Sequence, residues 1–444
     1  MTQSCMLARR VAVLVSAAVV AALGATAVAP PATGEPASPP SWEPVQTVME
    51  REPFDFPLVT TSSTGLVVAV AYDSQGWYAS TRPPGPGQNW SEPEPLQEVA
   101  VSQSPVNVVT SWPDGRITFL FPYVLVTMAA DGTFGPPEAL PFPWLLPVRG
   151  SGAATGLPDG RLVAASHVRG GFRAGIRAPD GTWTASERYR EPHAYVVGVW
   201  SEPRGPLRVA VLRTGYRRTD REPRLFSVEL GDDATWGARE NLDVGSFDRY
   251  RGGRFGVDFR SNADGDASLL WQERDARPDQ PVAVVSTRPA GGTWSEPLAL
   301  QSNVVANRIH FLRPDGTTLV ATASDSSEPD AGKLVVARLP AGGDRLEREV
   351  VYEGLFQYFL VTVQGGMAAS GEVHLAVPTR AGSSRLQRFW RCTERACVEQ
   401  QPLGSEPDSW GRVLAGADGA TYVVDTQAER CGDAPVCSRR LPPG

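Results

Sequence analysis

The chain has 444 residues, of which 20% are charged, and a net charge of −7. That acidic balance argues against nucleic acid as a general partner. Lys333 is the lone lysine among many arginines, a usage that fits a high-GC bacterial coding sequence and not a functional choice.

The first predicted element is not part of the fold. Arg9 and Arg10 precede an apolar run from Val11 to Leu23, followed by small residues ending Ala25-Thr26-Ala27. A charged start, a short apolar stretch and an A-x-A site describe a secretory signal peptide over residues 1–27. The run is shorter than the ~20 residues needed to span a bilayer. No membrane span is therefore expected after cleavage, and Cys5 departs with the signal. Ordinary secretion is expected, although the Arg pair also fits twin-arginine export. Loss of Arg9 and Arg10 takes the net charge from −7 to −9. Residues 28–40, VAPPATGEPASPP, lack apolar periodicity and are rich in Pro, so they are expected to form a disordered spacer.

From residue 41 to 444 one pattern recurs, a tight turn followed by an apolar run. It appears as STGLVVAV (63–70), PDGRITFL (113–120), PDGRLVAA (158–165) and PRGPLRVAVL (203–212). It continues as ADGDASLLW (263–271), PDGTTLVA (314–321), ASGEVHLAV (369–377) and ADGATYVV (417–424). The glycines at 65, 115, 160, 205, 265, 316, 371 and 419 step by 45 to 60 residues. Asp-Gly before aliphatic residues is a hairpin signal, because both residues accept the positive φ of tight turns.

A second pattern follows each of these runs. It reads WSEPEPL (90–96), FGPPEAL (134–140), WTASERY (183–189), WGARENL (236–242) and WSEPLAL (294–300), with LEREVVY (346–352) and CVEQQPL (397–403) as weaker forms. An eighth copy, WEPVQTV (42–48), precedes the first turn. Short runs such as GWYASTR (76–82) and PVAVVSTR (281–288) lie between the two patterns. Each unit therefore reads as four strands, with the Trp-Ser-Glu-Pro segment as the outermost. Four-stranded units of this length are β-propeller blades. Continuous apolar runs suit second strands buried on both faces, and Pro suits an outer edge. The fold class is all-β, a single propeller of eight blades, in which the N-terminal copy completes the last one. Seven blades is the alternative if the short final unit only caps its neighbour.

Four cysteines remain after export: Cys392, Cys397, Cys431 and Cys437. Their even number and short separations predict the pairs 392–397 and 431–437. The C-x₂-C spacing of a structural zinc site is missing.

Thr287-Arg288-Pro289-Ala290-Gly291-Gly292-Thr293-Trp294 resembles the Asp box of sialidase-type propellers, Ser-x-Asp-x-Gly-x-Thr-Trp. Gly291, Thr293 and Trp294 match, Thr287 replaces the Ser, and Pro289 stands in place of the Asp. APDGTW (178–183) keeps the Asp with shorter spacing. The resemblance implies a blade-stabilising turn away from any active face. The Arg-Ile-Pro-like motif carrying the first sialidase arginine has no counterpart near the start of this chain, and those enzymes are six-bladed. A propeller that is not a sialidase is expected.

Chemistry is sought in the loops that do not repeat. RTGYRRTDREPR (213–224), QERDARPDQP (272–281), ASDSSEPDAGK (323–333) and DVGSFDRYRGGR (243–254) are long and charged. Arg217, Arg218, Arg221, Tyr250 and Arg251 are placed to face Glu273 and Asp275 across one sector. Arg grips carboxylate or sulfate through two parallel hydrogen bonds, so this sector suits an acidic glycan. The plainer alternative is a set of solvated loop charges. Nothing selects a catalytic carboxylate pair, and no G-x-S-x-G elbow orients a nucleophile. His167, His193, His310 and His374 are scattered. Asn262, Asp264 and Asp266 alternate as Ca²⁺ ligands do, but seven sister turns lack them, so a plain hairpin and no cofactor are expected. The expected function is a secreted, monomeric, non-catalytic module binding a glycan or protein. A polysaccharide hydrolase or lyase is the alternative.

Overall fold

A computed structural model describes residues 40–444 except 51–52, 54–56, 98–107, 113, 122–123, 143–151, 204, 214–223, 243–256, 275–280, 303–307, 324–331, 357–362, 382–383, 405–410, 427–430, 432–433 and 444. The predicted signal and spacer therefore fall outside the described residues, apart from Pro40.

The strands assemble into eight separate antiparallel sheets, each a meander running from the inside outward. Blade 1 is β2 (Leu58–Thr61), β3 (Val67–Asp73), β4 (Gly76–Arg82) and β5 (Glu94–Gln97). Blade 2 is β6 (Val108–Ser111), β7 (Ile117–Phe121), β8 (Val124–Met128) and β9 (Glu138–Ala139). In blade 3, β10 (Gly152–Gly156), β11 (Leu162–Val168) and β12 (Gly171–Arg177) carry two outer pieces, β13 (Trp183–Ala185) and β14 (Tyr189–Arg190). Blade 4 is β15 (Ala194–Ser201), β16 (Leu207–Arg213), β17 (Arg224–Leu230) and β18 (Trp236–Leu242). Blade 5 is β19 (Asp258–Ser261), β20 (Ala267–Arg274), β21 (Pro281–Arg288) and β22 (Leu298–Ser302). Blade 6 is β23 (Arg308–Leu312), β24 (Thr318–Ala323), β25 (Lys333–Leu339) and β26 (Glu347–Glu353).

Blade 7 is built on β28 (Gln364–Met367), β29 (Val373–Ala381), β30 (Ser384–Cys392) and β31 (Cys397–Glu399), with β27 (Leu355–Phe356) and β32 (Leu403–Gly404) as additions. Blade 8 has only three C-terminal strands, β33 (Arg412–Ala415), β34 (Thr421–Asp425) and β35 (Val436–Leu441). Its fourth is β1 (Gln46–Met49), which pairs antiparallel with β35. The eighth sequence copy is thus the closing strand, as its repeat pattern predicts.

The second strands are the driest part of the molecule: β7 is buried throughout, as are the first five residues of β3 and β11. Every pair of neighbouring blades shares an apolar cluster, which is what closes the ring. Val68 and Phe119 join blades 1 and 2, while Trp112 and Leu162 join blades 2 and 3. Phe172 and Phe226 join blades 3 and 4, Leu225 and Trp271 blades 4 and 5, and Leu270 and Val320 blades 5 and 6. Leu319 and Trp390 join blades 6 and 7, Phe389 and Val413 blades 7 and 8, and Val424 and Ala71 blades 8 and 1.

The turn after the inner strand has the predicted chemistry. Gly115 sits at φ +90°, and a Cβ there would come within 2.6 Å of Thr64 Cγ2 in blade 1. Gly205 is the exception among the eight repeat glycines, with no positive φ.

The Trp-Ser-Glu-Pro segments depart from the sequence reading. The outer ladder starts only at Glu94 and Leu298, after the Trp and Ser. Before it, Ser91 N donates to Thr81 O at 2.7 Å and Ser295 N to Thr287 O at 2.8 Å. The indole has a different task, because it reaches the preceding blade. Trp90 Nε1 donates to Ser438 Oγ at 2.7 Å, Trp183 Nε1 to Glu138 Oε1 at 3.1 Å, and Trp236 Nε1 to Glu187 O at 2.6 Å. Trp42 Nε1 donates to Gln401 O at 3.2 Å in the same sense.

The Arg of Ser-Thr-Arg-Pro, a tetrapeptide found at 80–83 and again at 286–289, works alongside it. Arg82, 1% exposed, donates to Tyr422 OH at 2.9 Å and pairs with Glu43 at 3.3 Å, both in blade 8. Arg288 pairs with Glu202 of blade 4 at 2.6 Å. The repeated segment from Ser-Thr-Arg-Pro to Trp-Ser-Glu-Pro is a clamp between blades. Both predicted disulfides are formed, Cys392–Cys397 across β30 and β31, and Cys431–Cys437 at the start of β35.

Candidate functional site

In a four-stranded meander, the turns after the first and third strands leave one end of a blade. The turns after the second strand, and the connections to the next blade, leave the other. The sector chosen from sequence belongs to this second, loop-bearing end. Arg217, Arg218 and Arg221 (in 214–223), Tyr250 and Arg251 (in 243–256) and Asp275 (in 275–280) lie outside the described residues. Glu273 is in β20, its backbone opposite Val282. The flanking strand ends, Arg213, Arg224, Leu242, Arg274 and Pro281, belong to blades 4 and 5.

What the structure does describe at this end is the shoulder between blades 3 and 4. Glu191 is buried between two guanidinium groups, 3.3 Å from Arg213 Nη1 and 2.9 Å from Arg239 Nη1. Arg239 also lies over the Phe226 ring at 3.8 Å, which fixes its position. Arg190 ends β14 directly opposite Gly171, and Arg188 Nη1 donates to Arg169 O at 3.2 Å. Arg213 stands opposite Arg224 in the β16–β17 ladder. His167 Nδ1 contacts Ala194 O at 2.6 Å, and its ring stacks on Tyr195. Single-residue motif searching misses this shoulder, because its residues come from seven strands and the joints between them.

Along the axis, the inner strands of blades 1 to 7 enclose a cavity of about 930 Å³. Ser62, Thr110 and Thr155 give it hydroxyls, and Asp258, Arg260 and Asp264 give it charge. Small inner-strand residues bring the backbones together: a Cβ on Gly366 would lie 2.7 Å from Leu414 Cα.

One alignment in the wall has the composition of a hydrolase triad. Asp258 Oδ2 lies 3.6 Å from His310 Nδ1, and His310 Nε2 lies 2.9 Å from Ser268 Oγ. The order of burial is the reverse of what acyl transfer requires. Ser268 and His310 are wholly buried between blades 5 and 6, whereas the Asp258 side chain is 38% exposed in the channel. A substrate in the cavity meets the carboxylate and not the hydroxyl. Burial holds the His310 imidazole below its ordinary value, so it is neutral at pH 7. Burial pushes the Asp258 carboxyl up, but His310 and the Arg260 guanidinium outweigh it and hold the group below the usual carboxylate range.

The calcium-like turn is a hydrogen-bonded hairpin. Asn262 Nδ2 donates to Asp266 Oδ2 at 2.8 Å and to Arg313 O at 3.1 Å. Asn262 Oδ1 accepts from Asp266 N at 2.9 Å, and Asp266 Oδ1 from Ala290 N at 2.8 Å. Asp264 is exposed at the tip. Among the described residues no group of three or more His, Cys, Asp or Glu is placed to hold a metal ion.

No family model matches the chain, and no curated protein does. Among solved structures, it is similar to a fungal alcohol oxidase of the AA5 family in complex with copper, at 11% identity over 91% of this chain and 76% of that one, with a TM-score of 0.45. It is also similar to a PL25 ulvan lyase, at 9% identity over 89% and 94%, TM-score 0.38. A third is the β-propeller domain of the trilobed protease from Pyrococcus furiosus, at 11% identity over 80% and 98%, TM-score 0.43. None of these carries a residue role over to this chain. The chain is an all-β propeller of eight four-stranded blades.

Proposed function

We propose that the chain is an exported, monomeric, non-catalytic propeller that binds an extracellular glycan or protein at its loop-bearing end, with no cofactor. The observation that carries this reading concerns the carboxyl groups. A glycoside hydrolase needs a general acid held protonated by a raised pKa. The described carboxyls whose titration is clearly displaced are Asp131, Glu138, Asp180, Asp233, Asp258, Glu372 and Asp418, and every one is displaced downward. Four of them are held by cations: Glu138 by Arg177, Asp258 by Arg260, Glu372 by Arg391 and Asp418 by Arg440. Acids used as permanent anions in clamps suit a scaffold.

Export is supported by the charged, apolar and A-x-A order of residues 9–27 and by two disulfides. Among the described residues no helix is long and apolar enough to cross a membrane. The turn at 287–294 is read as a degenerate sialidase-type repeat, used as an inter-blade clamp.

The test is a glycan array followed by turnover assays on whatever binds. Binding without release of reducing ends or unsaturated products is expected. Turnover abolished by Glu273→Gln would establish the hydrolase or lyase reading instead. Unchanged binding by an Arg217→Ala/Arg221→Ala variant would remove the 213–281 sector from the site.

A further inference from the structure

The axial cavity opens at the end of the ring opposite to the long loops. Its lining includes Pro158, Ala263, Asp264, Pro314 and Ala369, all exposed residues of the turns that follow inner strands. Room is left inside because the inner strand of blade 3, Gly152–Gly156, reads GAATG and carries no side chain larger than threonine. At about 930 Å³ the cavity lies near the top of the ~300–1,000 Å³ range of small-molecule sites.

The charges in its described wall come from one blade. Asp258, Arg260 and Asp264 belong to blade 5, and the other blades contribute uncharged residues. Asp258 Oδ2 and Arg260 Nη2 meet at 3.2 Å, so the pair is neutral as a whole. The same pair is braced by blade 6. Arg260 Nε donates to His310 O at 3.2 Å, His310 Nδ1 lies 3.6 Å from Asp258 Oδ2, and His310 Nε2 lies 2.9 Å from Ser268 Oγ. The Asp258 and Arg260 side chains are still 38% and 50% exposed. Asp258 Oδ1 and Arg260 Nη1 have no hydrogen-bond partner among the described residues.

A fixed acceptor therefore stands beside a fixed donor, which is what two adjacent hydroxyls of a sugar ring require. One hydroxyl donates to Oδ1 while its neighbour accepts from Nη1. Half-buried hydroxyls continue the wall. Thr110 Oγ1 accepts from Gly156 N at 2.9 Å and keeps its own proton to donate, and Ser201 and Ser261 add two more. An anion is disfavoured, because two Asp against one Arg leave the wall with a net charge of −1. An ammonium group is disfavoured at the pair, where Arg260 adjoins the carboxylate.

We propose that the axial cavity binds a short neutral oligosaccharide, which enters at the turn-bearing end and is held through adjacent hydroxyls by Asp258 and Arg260. This is a second site, at the opposite end from the one that the binding-module reading uses, and it stands or falls separately.

The experiment is isothermal titration calorimetry of the full mature chain with neutral cellotriose, maltotriose, xylotriose and mannotriose. Trigalacturonate and a glucosamine trimer serve as charged comparators. At least one neutral trisaccharide should bind more tightly than either charged one. Asp258→Asn should weaken it about tenfold, the worth of one hydrogen bond to a charged group. Ala369→Trp, at an exposed position of the mouth, should weaken it at least as much without the loss of Tm that a core change brings. That variant leaves the Asp258–His310 contact untouched, so it separates binding from folding. Ala341→Trp, equally exposed on the third-strand turn of blade 6 and outside the lining, should bind as wild type does.

Failure of every neutral trisaccharide to bind would overturn the site, as would binding that survives both Asp258→Asn and Ala369→Trp. Equal losses in Ala369→Trp and Ala341→Trp would remove the mouth. Tighter binding of trigalacturonate or the glucosamine trimer would overturn the ligand class. A chain that takes no neutral trisaccharide but holds a glycan through its 213–281 sector would lose this inference and keep the binding-module reading. A trisaccharide that depends on Ala369, with nothing held by that sector, would remove only the loop-end reading.

Discussion

Arg82 donates to the hydroxyl of Tyr422 at 2.9 Å across 340 positions of sequence, joining blade 1 to blade 8. Arg440 Nε donates to the same oxygen at 3.2 Å, and Glu43 takes both arginines, Arg440 at 2.6 Å and Arg82 at 3.3 Å. Glu43 lies just ahead of β1, so the group that neutralises the clasp arrives with the closing strand. Removing one partner of a buried ion pair leaves uncompensated charge. Glu43→Gln should therefore cost about 2 kcal/mol, less than a fully buried pair because its carboxylate retains some access to solvent. Urea unfolding would show it as a lower midpoint. An unchanged midpoint would mean that the clasp is not what holds the seam.

The indole staples give a second, graded expectation. Trp236 packs on Phe172 and Tyr189 of blade 3 and donates to Glu187 O. Trp236→Phe keeps most of the packing and should cost about 1 kcal/mol for the lost hydrogen bond. Trp236→Ala should cost about 3 kcal/mol, through the vacated space between blades. If the two variants are equally stable, the ring contributes nothing beyond its hydrogen bond.

Gly115→Ala combines a left-handed φ with a contact to Thr64 that a methyl group cannot satisfy. A loss of about 2 kcal/mol is expected. A thermal scan within a degree of wild type would place the turn in a different conformation.

His310 sets a pH dependence. Burial lowers its pKa in the folded state, whereas the unfolded chain takes up a proton near the ordinary imidazole value of about 6.5. As pH falls below that value, the unfolded state binds a proton that the folded state refuses, and stability declines. The groups facing the imidazole are Asp258, which favours its protonated form, and Arg260 and Arg308, which oppose it. Asp258, with its own pKa lowered, contributes stability that is lost only at more acid pH, below about 4. The fall in Tm between pH 7 and pH 5 should be shallower in His310→Gln than in wild type. Parallel curves for the two proteins would refute this assignment.

The ring, its count and its closure were legible because each depends on short-range signals. Gly115 or Gly316 before an aliphatic run states a turn and a buried strand within ten residues, and WEPVQTV announces an unpaired outer strand by its likeness to the other seven. The work of Trp90 and Arg82 was not legible. Their partners, Ser438 and Tyr422, sit in another blade, and nothing local to the motif names them. The alignment of Asp258, His310 and Ser268 was hidden for the same reason, since three strands of two blades supply it. The blade 3–4 shoulder shows in sequence only as a local density of arginine; its register pairing Arg213 with Arg224 is a property of the sheet.

The bond between Arg440 and Glu43 spans 397 positions, and this makes the order of synthesis matter. The closing strand is among the first segments of the ring to be made and the last to find its place, because its partner β35 is the last of the described strands in chain order. Until then its hydrogen-bonding edge and the acid that neutralises two arginines have no destination. A chain stopped short of β35 would keep most of its blades yet leave the seam open. The seam therefore reports whether the chain has been made as far as β35, and a protease arriving before that strand would meet an open ring.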